Sequence, residues 1–406
     1  VIYLKSEVIK KILDNNLKLI HIKNKSNQIT VRVHVCVGSS DETTDNNGIS
    51  HFLEHMLWQG TKNHTANSIL RKLKEIDANH YALTNLKRTI YMLIAPKRHF
   101  EKMIKLMLDI IQNPSFDITE INRERNVILD EYKRGCDNPY RFLISKIFSE
   151  LFKDHPLSKT VIGSIKNIKK FTRKDLITYH KKYYVPNNMI ILVEGNIEDP
   201  EKLINKYFYL KERKIHKKTV PKPIYNSKKK VIYKKNVSAT YLGIGFKTPE
   251  YTHKDICTLQ IINYLLNNGN NINLNNIIRQ KLGLTYNINS ENMFFQETGL
   301  FVIKTTTDIK QLDVVIDAIF TEINKFQNIK TKELSYAKNK LIKETKNIDK
   351  YPFLLNEKIV LEEIYGYTKT NENKINDLRA VTIEDIKRVS KKYFNNYVID
   401  IIKPKK

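Results

Sequence analysis

The stretch "TRKDLITYHKKYY", residues 172–184, returns as "TIEDIKRVSKKYF" at residues 382–394, with its threonine, aspartate and Lys-Lys-Tyr run in step at an offset of 210. Carried outward with a one-residue adjustment, that offset lays "HFLEHMLWQG", residues 51–60, over "QIINYLLNNG", residues 260–269. A chain of 406 residues is long for one ordinary domain and comfortable for two, each able to bury a core of its own. The repeat therefore reads as two copies of one fold, expected over residues 1–212 and 233–406. Between them, residues 211–235, "KERKIHKKTVPKPIYNSKKKVIYKK", hold eleven Lys and Arg, two prolines and no strong periodicity, so residues 213–232 read as a basic linker.

Each copy mixes sheet and helix. Residues 17–37 read as a hairpin: "LKLIHI", a polar turn "KNKSNQ", then "ITVRVHVCV", in which Ile29, Val31, Val33, Val35 and Val37 alternate with mostly polar residues. "NMIILVEG", from Asn188, reads as a buried strand. "TTDNNGIS" supplies turn and cap residues before an apolar run from Ile49 to Trp58. Phe100, Met103, Ile104, Met107, Leu108 and Ile111 recur at helical intervals, and "TEINRERNVILDEYK" from Thr119 is also helical.

Composition narrows the class. With 41% apolar residues, 22 tyrosines and 16 phenylalanines, the chain can fold despite 28% charged residues. It has no apolar run of membrane-spanning length, and its start lacks the apolar core of a signal peptide, although a first residue Val1 leaves room for a removed leader. Cys36, Cys136 and Cys257 are scattered and odd in number, which argues against a disulfide framework and makes a reducing, cytoplasmic location the expectation. The net charge of +27 would suit nucleic acid, anionic membrane or acidic peptides, but the lysines are spread along the chain and no nucleic-acid module accompanies them. A solvated basic surface is the simpler reading, and no nucleic-acid partner is expected.

Chemistry concentrates in "HFLEH", residues 51–55. On a helix, His51 and His55 lie about 40° apart and one turn along the same face, which suits two imidazoles converging on one ion. Glu54 falls about 60° to the other side of His51, within reach of a water without being a ligand. A catalytic zinc takes three protein ligands, so a third must come from elsewhere. Glu124 and Glu131, about two turns apart on one face of the next-but-one helical stretch, are the best candidates for the carboxylate. In the second copy His51, Glu54 and His55 become Gln260, Asn263 and Tyr264, so one copy keeps the chemistry and the other only the shape.

A helical His-x-x-Glu-His followed 76 residues later by a glutamate resembles the inverzincin peptidases of the insulinase, pitrilysin and processing-peptidase group. The resemblance runs in order through "NNGISHFLEHMLWQGTKN", "RERNVILDEYKRGCDNPY", "HPLSKTVIGSIKNIKKFTRKDL" and "YYVPNNMIILVEGNI". It implies an α+β fold of two homologous lobes, each a mostly antiparallel sheet packed with helices. By motif it implies that His51, His55 and Glu131 ligate one Zn2+ per chain, that Glu54 is the general base, and that Glu124 supports the metal site from behind. "IIRQKLGLTYNI" resembles the family's Arg-x-x-x-Gly-Leu-x-Tyr stretch, giving Arg279 and Tyr286, which in relatives steady the substrate carbonyl or the developing oxyanion.

The resemblance further implies a zinc metalloendopeptidase acting on extended peptides inside a dimeric chamber. The dimer would be a homodimer or a heterodimer with a related chain, with Arg279 and Tyr286 serving the partner's zinc. The alternative is a non-catalytic partner subunit, as some relatives have become; the complete set of His51, Glu54, His55 and Glu131 argues for the enzyme. One departure stands beside the site. Where relatives carry Gly-Gly and then Asn-Ala-Phe-Thr, this chain has "DANHYALTN", with Asp77-Ala78 for the glycines, Tyr81 for the asparagine, and Lys87 for a following glutamate. No ligand is touched, so activity is expected to persist, and the change bears on cleft shape and sequence preference.

Overall fold

The computed structural model describes residues 7–215, 220 and 229–405. The chain divides into two compact units, residues 1–134 with 159–219, and residues 135–158 with 220–406. The first unit is built on six strands: β1 (Glu7–Ile12), β2 (Lys18–Lys23), β3 (Gln28–Val35), β4 (Asn79–Thr84), β5 (Thr89–Pro96) and β6 (Met189–Gly195). Their order is β1-β2-β6-β3-β5-β4. The second unit has β7 (Lys229–Lys235), β8 (Thr240–Thr248), β9 (Thr285–Phe294), β10 (Gly299–Thr307) and β11 (Tyr397–Pro404), in the order β7-β11-β8-β10-β9.

Strand for strand, the second sheet repeats β2-β6-β3-β5-β4 of the first. Even the single parallel pair recurs, β2 with β6 and β7 with β11, while every other pairing is antiparallel. The fold is thus α+β and internally doubled. The repeated sequence stretches become the equivalent helices Arg173–Tyr183 and Ile383–Tyr393. Each starts with the same device: the threonine hydroxyl, Thr172 or Thr382, accepts from the backbone N–H three residues on, and Asp175 or Asp385 accepts from the threonine backbone. Such a reciprocal cap satisfies two of the donors that a helix start leaves open.

The two units have separate apolar cores. In the first, Ile29, Val31, Val33 and Val35 on one face of β3 are fully buried against helices that include Phe100–Gln112 and Arg173–Tyr183. Each such side chain contributes about 1.5–3 kcal/mol relative to exposure. In the second, Leu242, Ile244 and Phe246 of β8 play the same part.

Three expectations need correction. Residues 17–37 do not form a hairpin: β2 and β3 are both present, but β6 lies between them, parallel to β2 and antiparallel to β3. The reason lies in "MIILV", buried at every position, which needs neighbours on both edges and cover on both faces. The proposed first lobe, residues 1–212, loses residues 135–158 to the second unit. There Leu143 and Ile147 of the helix Pro139–Leu151 pack onto Gly243 and Gly245 of β8, where an added Cβ would come within 2.6 and 2.4 Å of Ile147. Glycine in the strand allows that approach.

The proposed linker, 213–232, is shorter at its far end. Residues 216–219 and 221–228 lie outside the described residues, but Lys229–Lys235 is a strand paired with β11. Its four lysines conceal the strand from a reading of charge, yet suit an edge, where lysine discourages further pairing.

Candidate metal centre

The site is assembled on two helices of the first unit. "NNGIS" starts the helix Ile49–Leu57 because Gly48 takes φ of +103°. A Cβ there would lie 2.7 Å from the Ile162 carbonyl oxygen, so glycine is required on both counts. In place of a side-chain cap, the buried Glu42 carboxylate accepts from the N–H groups of Gly48 at 2.7 Å and Ser50 at 2.8 Å. Burial raises the Glu42 pKa despite these bonds, which work against the shift. The Ser50 hydroxyl meets the Tyr179 hydroxyl at 3.0 Å and ties this helix to Arg173–Tyr183. Glu42 was not singled out in the sequence; an acid shortly before a helix-starting glycine is the signal that could have found it.

From this helix His51, Glu54 and His55 project as their spacing requires, and the helix Ile118–Asp137 brings Glu124 and Glu131 to them. The two imidazole rings lie edge to face, with centroids 4.8 Å apart. Glu131 Oε2 is 3.5 Å from His51 Nε2 and 3.5 Å from His55 Nε2. All three ligand-type atoms lie within 4.8 Å of one another, and among the described residues no other group of His, Cys, Asp and Glu forms such a cluster. Bonds of about 2.0–2.1 Å to a tetrahedral zinc would set neighbouring donor atoms about 3.4 Å apart. Two imidazoles and a carboxylate at this spacing fit that ion in both chemistry and size.

Glu124 has a different part. Its Oε2 lies 3.1 Å from His55 Nδ1, so Nδ1–H donates to the carboxylate and Nε2 is the ring nitrogen turned toward Glu131. Glu124 is buried, and Arg123 approaches its other oxygen at 3.5 Å. Burial alone would lower the His55 pKa, but the hydrogen bonds to Glu124 and Glu131 outweigh it and hold the metal-free ring at about 9. The site therefore attracts a cation; in the absence of metal a proton answers.

Glu54 stands beside this cluster and accepts a 2.6 Å hydrogen bond from the Thr84 hydroxyl. Burial raises its pKa, with that hydrogen bond partly opposing the shift. Thr84 ends β4, the edge strand beyond β5. The departing "DANHYALTN" segment forms this edge: Tyr81 and Leu83 are exposed, His80 packs on Trp58 at 4.8 Å, and Asp77 occupies φ of +50°. Aspartate tolerates this left-handed backbone better than most residues, which explains how it stands where relatives carry glycine. Asp77 also pairs with Arg98 at 2.8 Å.

Arg279 and Tyr286 belong to the second unit. Arg279 sits in the π-helix Asn275–Lys281 and Tyr286 on β9, with the guanidinium 5.7 Å from the centre of the exposed phenol ring. The counterparts of the ligands, Gln260, Asn263 and Tyr264, stand on the helix Ile256–Asn268. Asn263 there accepts from Ser290 at 2.8 Å. No helix among the described residues is long and apolar enough to cross a membrane, and Cys36, Cys136 and Cys257 are not in disulfides.

Residues 18–164 match the family described as Insulinase (Peptidase family M16), and residues 170–341 match its companion, the Peptidase M16 inactive domain. An uncharacterized zinc protease of Rickettsia felis is 30% identical over 77% of this chain and 76% of its own length. Subunit 1 of the mouse mitochondrial cytochrome b-c1 complex is 25% identical over 75% of this chain and 66% of its own. A crystal structure of a protease from Helicobacter pylori superposes with a TM-score of 0.87 at 24% identity, covering 98% of this chain and all of that one, a likeness of fold.

Proposed function

The chain belongs to the insulinase (M16) peptidase family, and from that premise we propose that it is a zinc-dependent metalloendopeptidase acting on extended peptides. The observation that carries the proposal is the convergence of His51, His55 and Glu131, with Glu54 beside them. His51, His55 and Glu131 would hold the ion, and Glu124 would fix the His55 tautomer through Nδ1. A zinc ion so held supplies Lewis acidity, by which water becomes a nucleophile near neutral pH and the scissile carbonyl is polarised.

Glu54, desolvated and oriented by Thr84, takes the proton of the attacking water and returns it to the leaving amine. The exposed edge β4 offers its backbone to an extended peptide, so unfolded or short substrates are favoured over folded ones. Arg279 and Tyr286 are proposed to stabilise the negative charge that would develop on the scissile carbonyl oxygen in the site of a second copy of the chain, in a homodimer with two equivalent sites.

A second reading, a non-catalytic partner subunit, is favoured by the likeness to a respiratory-complex subunit. Metal content and turnover decide between them. The enzyme should carry one zinc per chain, lose peptidase activity to a chelator and regain it with zinc. Glu54→Gln should keep the metal while turnover falls by about 10²-fold or more, whereas His55→Ala and Glu131→Ala should lose zinc as well. A metal-free preparation with full activity, or a zinc-loaded one that cleaves no member of a mixed peptide library, would refute the proposal.

A further inference from the structure

The residues of the metal centre come from two helices, Ile49–Leu57 and Ile118–Asp137, and each helix carries a second residue of interest one step beyond them. Phe52 follows His51 and Arg125 follows Glu124, each about 100° further round its helix. The two meet: the Arg125 guanidinium lies 5.5 Å from the centre of the fully buried Phe52 ring. The same guanidinium donates from Nη1 to the Ile168 carbonyl oxygen and from Nη2 to that of Phe171, the latter at 2.8 Å. Phe171 in turn sets its ring edge to face with Phe52, centroids 5.9 Å apart. Arg125 therefore joins both helices of the centre to the turn that precedes Arg173–Tyr183.

The second unit provides an internal comparison. Val381 stands 210 residues after Phe171, at the offset of the repeat, and each immediately precedes a capping threonine. There Lys338, on the helix Thr331–Lys346, donates to the Val381 carbonyl oxygen at 2.8 Å and to that of Arg379. The position of Phe52 falls to Ile261, which has no ring. The copy in which amides and a tyrosine replace the site residues thus docks its turn with a lysine, while the copy that keeps them uses an arginine over an aromatic ring. An ammonium is enough for two carbonyls, whereas a planar guanidinium can donate from its edge and stack through its face at once. What arginine adds to the docking is a hold on Phe52, and through it on the helix of His51 and His55.

We propose that Arg125 is a positioning residue of the metal centre: held by two carbonyls and stacked on Phe52, it fixes the spacing between the helix that carries Glu131 and the helix that carries both histidines. Glu131 stands 3.5 Å from each Nε2, a long contact, so that spacing has to be set by what surrounds the ligands. The inference rests on the zinc reading of the site.

The test is the zinc affinity of the full-length chain, measured by competition with a chromogenic chelator, beside the thermal midpoint of the metal-free protein. Arg125→Lys copies the second unit: it should keep a midpoint close to the parent's and bind zinc about ten-fold or more weakly. With cobalt(II) as the probe it should also show a changed visible absorption band, which reports ligand geometry. Phe52→Ile should weaken zinc binding by a similar factor, and the double variant should be little worse than either single one, because both remove the same contact. Lys338→Met should lower the midpoint and leave zinc affinity unchanged, since it strips only carbonyl partners. A parent that binds zinc and an Arg125→Lys chain that binds it equally tightly overturn the proposal. So do losses that simply add in the double variant, or an Arg125→Lys midpoint that falls as far as that of Arg125→Met, which would assign a structural role alone. Should Arg125→Lys misfold, Phe52→Ile carries the test, and parental zinc affinity in that variant overturns the proposal. A parent that takes up no zinc refutes the zinc reading and this inference with it.

Discussion

Two residues outside the zinc-type motif decide how well its carboxylates are aimed. Glu124 reaches His55 from behind and fixes which ring nitrogen faces Glu131, while Thr84 grips Glu54 with a 2.6 Å hydrogen bond. A neutral donor on a carboxylate is worth about 1.5–3 kcal/mol. Thr84→Val should therefore lower kcat by about ten-fold or more with little change in KM and none in zinc content, and Thr84→Ser should restore it. An unchanged kcat in Thr84→Val, or a loss of zinc, would show that Thr84 does not orient the base. The same reasoning assigns no such weight to Tyr81, whose exposed ring bears on what the cleft accepts.

Helices position these residues, and the helix Arg173–Tyr183 braces the first unit through its buried face. His180 donates from Nε2 to the Ile111 carbonyl oxygen at 2.8 Å and stacks on Tyr184 with ring centroids 4.5 Å apart. Burial depresses its pKa to about 4, so the fold holds the neutral ring. The unfolded chain protonates this histidine first, at its ordinary value of about 6.5. Stability from this residue is therefore intact above pH about 6.5 and is lost as the pH falls toward about 4. Between pH 7 and pH 4.5 the loss should be about 2–3 kcal/mol, read as a drop in the urea midpoint. His180→Gln, which can still donate, should be less stable at pH 7 but lack most of that drop. A parallel decline in variant and parent would assign the acid sensitivity elsewhere, for instance to the fully buried His34.

At the scale of the molecule the doubled fold divides the labour. One unit keeps two histidines and a glutamate in register, and its copy keeps the same sheet order with amides and a tyrosine instead. If Arg279 and Tyr286 serve the zinc of a second chain, mixing two inactive variants restores function. Glu54→Gln and Arg279→Ala, combined under verified subunit exchange, should regain about one quarter of the parental activity, since half the dimers then hold one intact site. A mixture as inactive as its parents would mean that both residues act on the same chain's site.

The sequence alone determined the repeat, the helices and the metal-ligand spacing, because these depend on local periodicity. A 3.6-residue turn sets His51 and His55 on one face, and Thr-x-x-Asp caps both copies of the repeated helix. Choosing Glu131 over Glu124 as third ligand rested on family resemblance; in the structure Glu131 faces both Nε2 atoms and Glu124 faces Nδ1. Strand neighbours were beyond local reading, since β6 enters between β2 and β3 from more than 150 residues away. The docking of residues 135–158 was equally hidden, because it depends on two glycines of a distant strand. The same holds for Glu42 and Thr84. What each does depends on which side chains the fold brings within a few ångströms, and neither spacing nor composition encodes that distance.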